Sequence, residues 1–419
     1  MNDPNHVLPA DADWKALPSE LQSELDHILL YWQRFAVDGG HEGFYGRINQ
    51  DNIADERAPR GSVLNARILW TFSAAYNQLH HPVYLELATR AYQYLRTYLK
   101  DPEYGGLYWS VDWLGRIQDA YKQVYAQAFG IYGMSEYYRA SRNTEALEEA
   151  LTLYSLIERY SRDPRYSGYI DAFSRDWSFL ENKRLSAKDE NASKTMNTHL
   201  HVVEAYANLY AVHPTEKLRQ DIQSLLRIFN EKIIHPENHH LGLFFSEDWK
   251  MENRIISYGH DIEAGWLLQS CAESIQDSDL VTRAKTNAIL ITDAAMEGLD
   301  GDGGLWYEYN RETEKRIAEK HWWPQAEALI GFFNAWQLTG DEIYKNALLK
   351  NWQFIRNHIL DGSGREWHWG IDENGKLIPG QDKVGIWKCP YHNSRACLEL
   401  LKRLNAERLT LKAEGDLKN

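Results

Sequence analysis

The chain has 419 residues, with 46 Lys and Arg against 60 Asp and Glu, a formal net charge of −14 with His neutral. Hydrophobic residues make up 43% and charged residues 25%, a globular balance that excludes a disordered acidic tail protein, a collagen and a low-complexity chain. The acidic excess argues against nucleic acid as a partner, because phosphate binding needs a basic surface.

The opening stretch MNDPNHVLPADADW is polar and acidic and lacks the basic and apolar regions of a signal peptide. No run of 18 apolar residues exists, so no membrane span is expected. Three cysteines, Cys271, Cys389 and Cys397, form no CxxC, which points to a reduced, cytoplasmic protein. The chain also carries 16 Trp, 25 Tyr and 12 Phe, a supply of rings that suits a pocket stacking on sugars as well as a core.

Helical periodicity first appears over about 14–37. The cluster Gly43-Phe44-Tyr45-Gly46 follows, then helices at about 63–80 and 83–100 split by His81-Pro82. Gly105-Gly106-Leu107-Tyr108-Trp109 precedes helices at 121–141 and 144–161, with Asn143 or Thr144 as cap. Ser167-Gly168-Tyr169-Ile170 precedes helices at 195–212 and 215–234, split by His213-Pro214-Thr215. Leu241-Gly242-Leu243-Phe244-Phe245 leads to helices at 257–274 and 278–298. Gly303-Gly304-Leu305-Trp306-Tyr307 leads to 320–339 and 341–359, split at Gly340-Asp341. Gly364-Arg365-Glu366-Trp367-His368-Trp369 comes before a last helix at 391–411.

Anchors at 43, 106, 168, 242, 304 and 364 lie 63, 62, 74, 62 and 60 residues apart. Six units with two helices each, joined by short aromatic hairpins, predict an all-α (α/α)6 barrel, six inner helices within six outer ones. An open helical solenoid is the rival. No composition break marks a boundary, so one catalytic domain is expected over 1–419, with disordered tails at about 1–12 and 408–419.

Each helix that follows a hairpin holds the same place in its repeat. If these are the inner helices, their N-termini open to one end. Arg67, Tyr125, Asn197, His199, His201, Glu204, His260, Asp261, Glu263, Trp266, His321, Trp322, Trp323, Gln325, Glu327, Trp387, Tyr391, His392, Asn393 and Arg395 all lie near those starts. His260 and Glu263 are i, i+3 and share a helix face. The carboxylate can then orient the imidazole, as a triad carboxylate does. His392 supplies a second imidazole from another helix start. Two bases on opposite sides of a carbon can remove a proton from one face and return it to the other, which is epimerisation beside a carbonyl. Arg67 and His201 can bind the carbonyl oxygen and stabilise enediolate charge.

Metal binding competes with this reading, because His201 with Glu204 and His260 with Glu263 have helical ligand spacing. No HExxH and no paired CxxC appears, and none is expected to bind metal. Neither GxGxxG nor GxxxxGK[ST] opens a helix, so no nucleotide cofactor is expected. No GxSxG elbow is present.

The segments ARILWTFSAAY, GGLYWSVD, RLSAKD, MNTHLHVVEAYANLY, GHDIEAGWLL, HWWPQAEAL and KCPYHNSRACLE closely resemble cellobiose 2-epimerases of the N-acylglucosamine 2-epimerase superfamily. The resemblance runs from about residue 20 to 405. It implies the (α/α)6 barrel and reversible inversion at C2 of a reducing-end aldose, with no added cofactor. By motif it makes His260 and His392 the acid/base pair, Glu263 the support of the first, and His201 and Arg67 groups around O1 and O2. It also makes Asn197, Trp266, Trp323, Glu327 and Trp387 sugar-contacting or mouth-shaping residues, and Tyr125 joins them at the cavity.

Gly385 stands where an acidic residue is expected in the disaccharide enzymes, and the stretch from Trp367 to Trp387 is about one residue long. A monosaccharide enzyme, mannose 2-epimerase or mannose isomerase, is therefore the first alternative. A glycoside hydrolase on the same barrel is the second, with Glu263, Glu327, Asp112 and Asp372 as its acids. The expected partner is a sugar alone, with neither nucleic acid nor membrane, for a monomer or weak dimer.

Overall fold

The computed structural model describes residues 11–416, with burial assigned over 13–406; the tails expected at about 1–12 and 408–419 lie outside the residues described in full. The helices are α1 (Asp11–Tyr31), α2 (Ser62–Leu79), α3 (Pro82–Tyr94), α4 (Val124–Ser141), α5 (Thr144–Leu156), α6 (Met196–Val212), α7 (Glu216–Ile228), α8 (Tyr258–Ile275), α9 (Ser278–Ala295), α10 (Trp322–Thr339), α11 (Glu342–Phe354) and α12 (Tyr391–Asp416).

Local chemistry sets their ends. The side chains of Asn143, Thr215, Asp277 and Asp341 accept backbone N–H bonds in the first turns of α5, α7, α9 and α11. Pro82 opens α3, where a missing N–H costs nothing. The inner helices α2, α4, α8 and α10 stop at His80, Arg142, Gln276 and Gly340 in the left-handed conformation. The start expected at 121 falls instead at Val124, because Lys122–Gln123 is paired as a strand.

Neighbouring inner helices pack in the order α2, α4, α6, α8, α10, α12, and α12 returns to α2. That closed ring is the expected (α/α)6 barrel, and closure removes the open solenoid. The last unit joins the two ends of the chain, with outer helix α1 packed on inner helix α12. Close approach needs small residues: a Cβ on Gly133 of α4 would stand 2.7 Å from the Ala66 carbonyl of α2.

The Gly-aromatic clusters are tight turns, not long strands. After each outer helix one residue bridges back across the turn: Val37 to Phe44, Lys100 to Leu107, Arg162 to Tyr169, Ile234 to Leu241, Leu299 to Leu305, and Asp361 to Arg365. The segment entering most inner helices then pairs antiparallel with the next unit. Arg60–Gly61 meets Ser110–Val111, Lys122–Gln123 meets Ala172–Phe173, and Lys194–Thr195 meets Phe244–Phe245. Ile255–Ser257 meets Glu308–Asn310, Lys320–His321 meets Gly370–Ile371, and Ile48–Asn49 meets Asp382–Val384. Six staples thus run round the end of the barrel where the inner helices begin. Buried cations reinforce them, with Arg60 on Asp38, Lys122 on Asp101 at 2.9 Å and Lys194 on Asp163 at 2.6 Å.

Candidate active site

Helical equivalence puts one residue from every inner helix at the same depth. Arg67, Phe129, His201, Glu263 and Glu327 are each the sixth residue of their helix, and Arg395 is the fifth of α12. All six are buried. Above them, nearer the N-termini, stand Tyr125, Asn197, His260, Trp323 and His392.

The two imidazoles come together. The His260 ring centroid is 4.8 Å from that of Trp323, and the His392 ring is 5.6 Å from the same indole. Their partners differ. His260 is half-buried, and its Nδ1 lies 2.8 Å from the Ser257 hydroxyl at the entry to α8. His392 is buried, and its Nδ1 lies 2.6 Å from Glu327 Oε1.

This corrects the expected pairing of His260 with Glu263. The i, i+3 spacing is present, but Glu263 turns to Arg395, 2.6 Å away, and stands 3.9 Å from His392 Nδ1. A buried carboxylate takes the strongest cation within reach, and a guanidinium outcompetes a neutral imidazole. Glu327 and Trp266, expected as sugar-contacting or mouth-shaping residues, lie deep in the ring. Glu327 is 0% exposed beneath His392, and Trp266 Nε1 donates to its Oε2 at 3.1 Å.

Across the ring, Arg67 Nη2 donates to the Tyr125 hydroxyl at 2.7 Å, and its guanidinium sits 4.2 Å from the Phe129 ring. His201 packs edge-on to Tyr125 at 5.0 Å, with Nδ1 2.8 Å from Glu204 Oε2. Asn197 keeps a buried Oδ1 with no hydrogen-bond partner among the described residues. Trp387 is half-buried, 6.1 Å from Tyr125 and 5.8 Å from Trp109, which stacks on Tyr121 at 5.8 Å. These rings make an aromatic wall running outward from Tyr125.

Burial dominates the titration of the site. It pushes His260 down to about 3, with the Lys188 and His201 charges adding to it. His392 is held well below the usual imidazole range by burial, then by Arg67 and Arg395. Burial and the neighbouring Glu327 charge push Glu263 up to about 7. Burial alone would raise Glu204, but Arg395 and His201 bring it down to about 2.

Glu263, Glu327 and His392 hold their ligand atoms within 4.8 Å of one another. Arg395 Nη2 already lies 2.6 Å from an oxygen of both carboxylates, so this donor set is saturated by a side-chain cation and does not fit a metal ion.

Several polar residues near the helix starts serve the scaffold. Gln325 accepts from Leu305 N at 2.7 Å and donates to its carbonyl. His199 accepts from Tyr169 N at 2.9 Å, and Asp261 accepts from Leu241 N at 2.9 Å. Asn393 donates to Glu366. His321 pairs with Glu319 at 2.8 Å and stacks near Tyr307 at 4.1 Å. Sequence reasoning gave no role to Ser257, nor to Lys188, which bonds the Tyr307 hydroxyl and faces His260. Lys188 falls within RLSAKD, so the motif was visible although its contact was not.

Ser257→Ala removes the hydrogen bond that its hydroxyl makes with His260 Nδ1. It is expected to lower kcat about 3- to 10-fold, the worth of one such bond, with the fold intact. Steady-state kinetics on the variant check this.

The family described as N-acylglucosamine 2-epimerase (GlcNAc 2-epimerase) matches residues 43–396. The cellobiose 2-epimerase of Bacteroides fragilis is 44% identical over 386 residues, 92% of this chain and 98% of that protein. The solved cellobiose 2-epimerase of Bacillus thermoamylovorans superposes with a TM-score of 0.88 at 38% identity, over 93% of this chain and 100% of its own. A solved D-mannose isomerase shares the fold, with a TM-score of 0.81 at 23% identity over 94% of this chain and 99% of its own.

Proposed function

The chain belongs to the N-acylglucosamine 2-epimerase family, and from that premise we propose that it inverts C2 of the reducing-end glucose or mannose of a β-1,4-linked disaccharide. It is a carbohydrate epimerase, an isomerase. The observation that carries the reaction type is the pair of imidazoles, from α8 and α12, against one indole.

The roles follow from unequal surroundings. His260 has a hydroxyl as its Nδ1 partner and is held neutral, which makes it a base in waiting. His392 and Glu327, 2.6 Å apart, titrate as a pair that holds one proton between them, which makes them the acid. Once the sugar ring is open, one imidazole removes the C2 proton and a cis-enediolate forms. The charge that develops on O1 and O2 meets Arg67 and His201. The opposite imidazole then protonates C2 on its other face. The reverse reaction exchanges the roles. Delivery of that proton to C1 instead gives a ketose.

Asn197, Tyr125, Trp323 and Trp387 are read as sugar contacts, with Trp266, Glu263 and Glu327 acting beneath them. The wall of Tyr125, Trp387, Trp109 and Tyr121 favours a substrate with a second ring, since aromatic faces stack on sugars. We read the whole ring as one catalytic domain working without an added cofactor. No helix among the described residues is long and apolar enough to cross a membrane. A cytoplasmic monomer or weak dimer without a nucleic-acid partner is the reading that the acidic chain and its three unpaired, buried cysteines support.

Proton NMR in heavy water, with cellobiose, lactose, glucose and mannose offered separately, tests reaction and substrate together. The expected result is deuterium at C2 and glucosyl-mannose from cellobiose. Free glucose from cellobiose identifies a hydrolase, and exchange confined to mannose or glucose identifies the monosaccharide enzyme.

A further inference from the structure

Helices α6 and α12 stand opposite each other in the ring of six. His201 belongs to the first and His392 to the second. One guanidinium joins them. Arg395 Nη1 donates to Glu204 Oε1 at 2.6 Å and to the Tyr391 hydroxyl, and Nη2 donates to Glu263 Oε1 and Glu327 Oε1, each at 2.6 Å. Glu204 holds His201 Nδ1 at 2.8 Å, and Glu327 holds His392 Nδ1 at 2.6 Å. The guanidinium lies between the Trp266 ring at 4.9 Å and the Tyr391 ring at 4.2 Å, and Arg395 is 3% exposed.

We propose that Arg395 is a positioning residue for the epimerisation, a single cation that fixes both histidine–carboxylate pairs so that each imidazole turns Nδ1 inward and Nε2 toward the sugar. The proposal rests on the epimerase reading of the site. Arg395 lies under the carboxylates and acts through Glu204 and Glu327. Its planar fork matches three carboxylates at once, which the point charge of a lysine cannot do. Without it three buried acids crowd one another, and protonation of one of them frees an imidazole to rotate.

The groups facing His392 are Glu327 from α10, Glu263 and His260 from α8, Arg67 from α2, His201 from α6, and Arg395 and Tyr391 on its own helix. Arg395 opposes a positive charge on His392. Loss of that cation therefore raises the pKa of His392, and the imidazole stays protonated to higher pH.

The test compares Arg395→Gln and Arg395→Lys in the full chain, with cellobiose as substrate. Both are expected to lower kcat about 100-fold, the cost of an imidazole misplaced by about 1 Å, with KM within about threefold. Gln is expected to move the alkaline limb of kcat/KM, set by loss of the proton that the His392–Glu327 pair holds, upward by about one pH unit, while Lys, which keeps the charge, leaves the limb in place. A purely structural role would lower the folded fraction, read by near-UV circular dichroism, and leave the limb unmoved in the folded remainder; that result overturns the proposal. So does a kcat for Arg395→Gln within threefold of the parent. Should Arg395→Gln not fold, Glu204→Gln cuts only the His201 arm and is expected to lower kcat at least tenfold with the His392 limb unmoved; an unchanged kcat there also overturns it. Absence of C2 hydrogen exchange in the parent protein would defeat the epimerase reading instead, so the two failures are distinguishable.

Discussion

Replacing either His260 or His392 with Asn is expected to lower the epimerisation kcat by about 10⁴-fold, the upper range for a general acid or base. Asn is close in size to imidazole and polar, so the Trp323 wall and the sugar contacts persist. Binding of cellobiose, measured by calorimetry, should stay within about threefold. A sharper readout is available because the two rings have separate work. Each variant keeps one base, so slow exchange of the C2 hydrogen with heavy water should survive for one epimer only. His260→Asn and His392→Asn should retain it for opposite epimers. Exchange of both epimers in either variant, or turnover within tenfold of the parent, would remove the two-base mechanism.

Lys388→Met is expected to destabilise the fold by about 3–5 kcal/mol, the usual result of removing one partner of a buried ion pair. Lys388 and Glu366 are both 0% exposed, with Nζ and Oε1 2.7 Å apart. Glu366 also accepts from Trp32 Nε1 at the end of the first outer helix and from Asn393 Nδ2 in α12. The carboxylate thus ties the two ends of the chain where the ring closes. Without Lys388 the carboxylate keeps the N–H donors of Trp32, Asn393 and Trp367 but loses the buried ammonium that balances its charge. The urea midpoint should fall sharply, and Lys388→Met combined with Glu366→Gln should recover part of the loss, because a neutral amide costs less to bury. Equal midpoints for parent and single variant would show that the pair contributes nothing.

Both variants bear on how the chain encodes the site. The repeat was legible from the letters alone. Gly-aromatic turns recurring every 60 to 74 residues, and stops such as His81-Pro82 and Gly340-Asp341, act through local sterics and capping, which need no knowledge of the partner. Hence the twelve helices fall where periodicity placed them, within a few residues at their starts. The concentration of Arg, His and Trp near inner-helix starts was legible for the same reason, since equal phase in a repeat means equal depth in a ring.

Partnership was not. The spacing of His260 and Glu263 is favourable on one helix, yet Glu263 serves Arg395 and the imidazole on α12 rests on Glu327 of α10. Those residues are 132 and 65 positions apart. His199, Asp261 and Gln325 lie near the same helix starts and anchor turns of the preceding Gly-aromatic clusters instead. Local sequence therefore determined the elements, their order and which end of each inner helix gathers the Arg, His and Trp side chains. Ring closure alone decided which carboxylate each histidine leans on, because a buried charge pairs with whatever opposite charge the neighbouring helices bring within about 3 Å, and that choice is made in three dimensions.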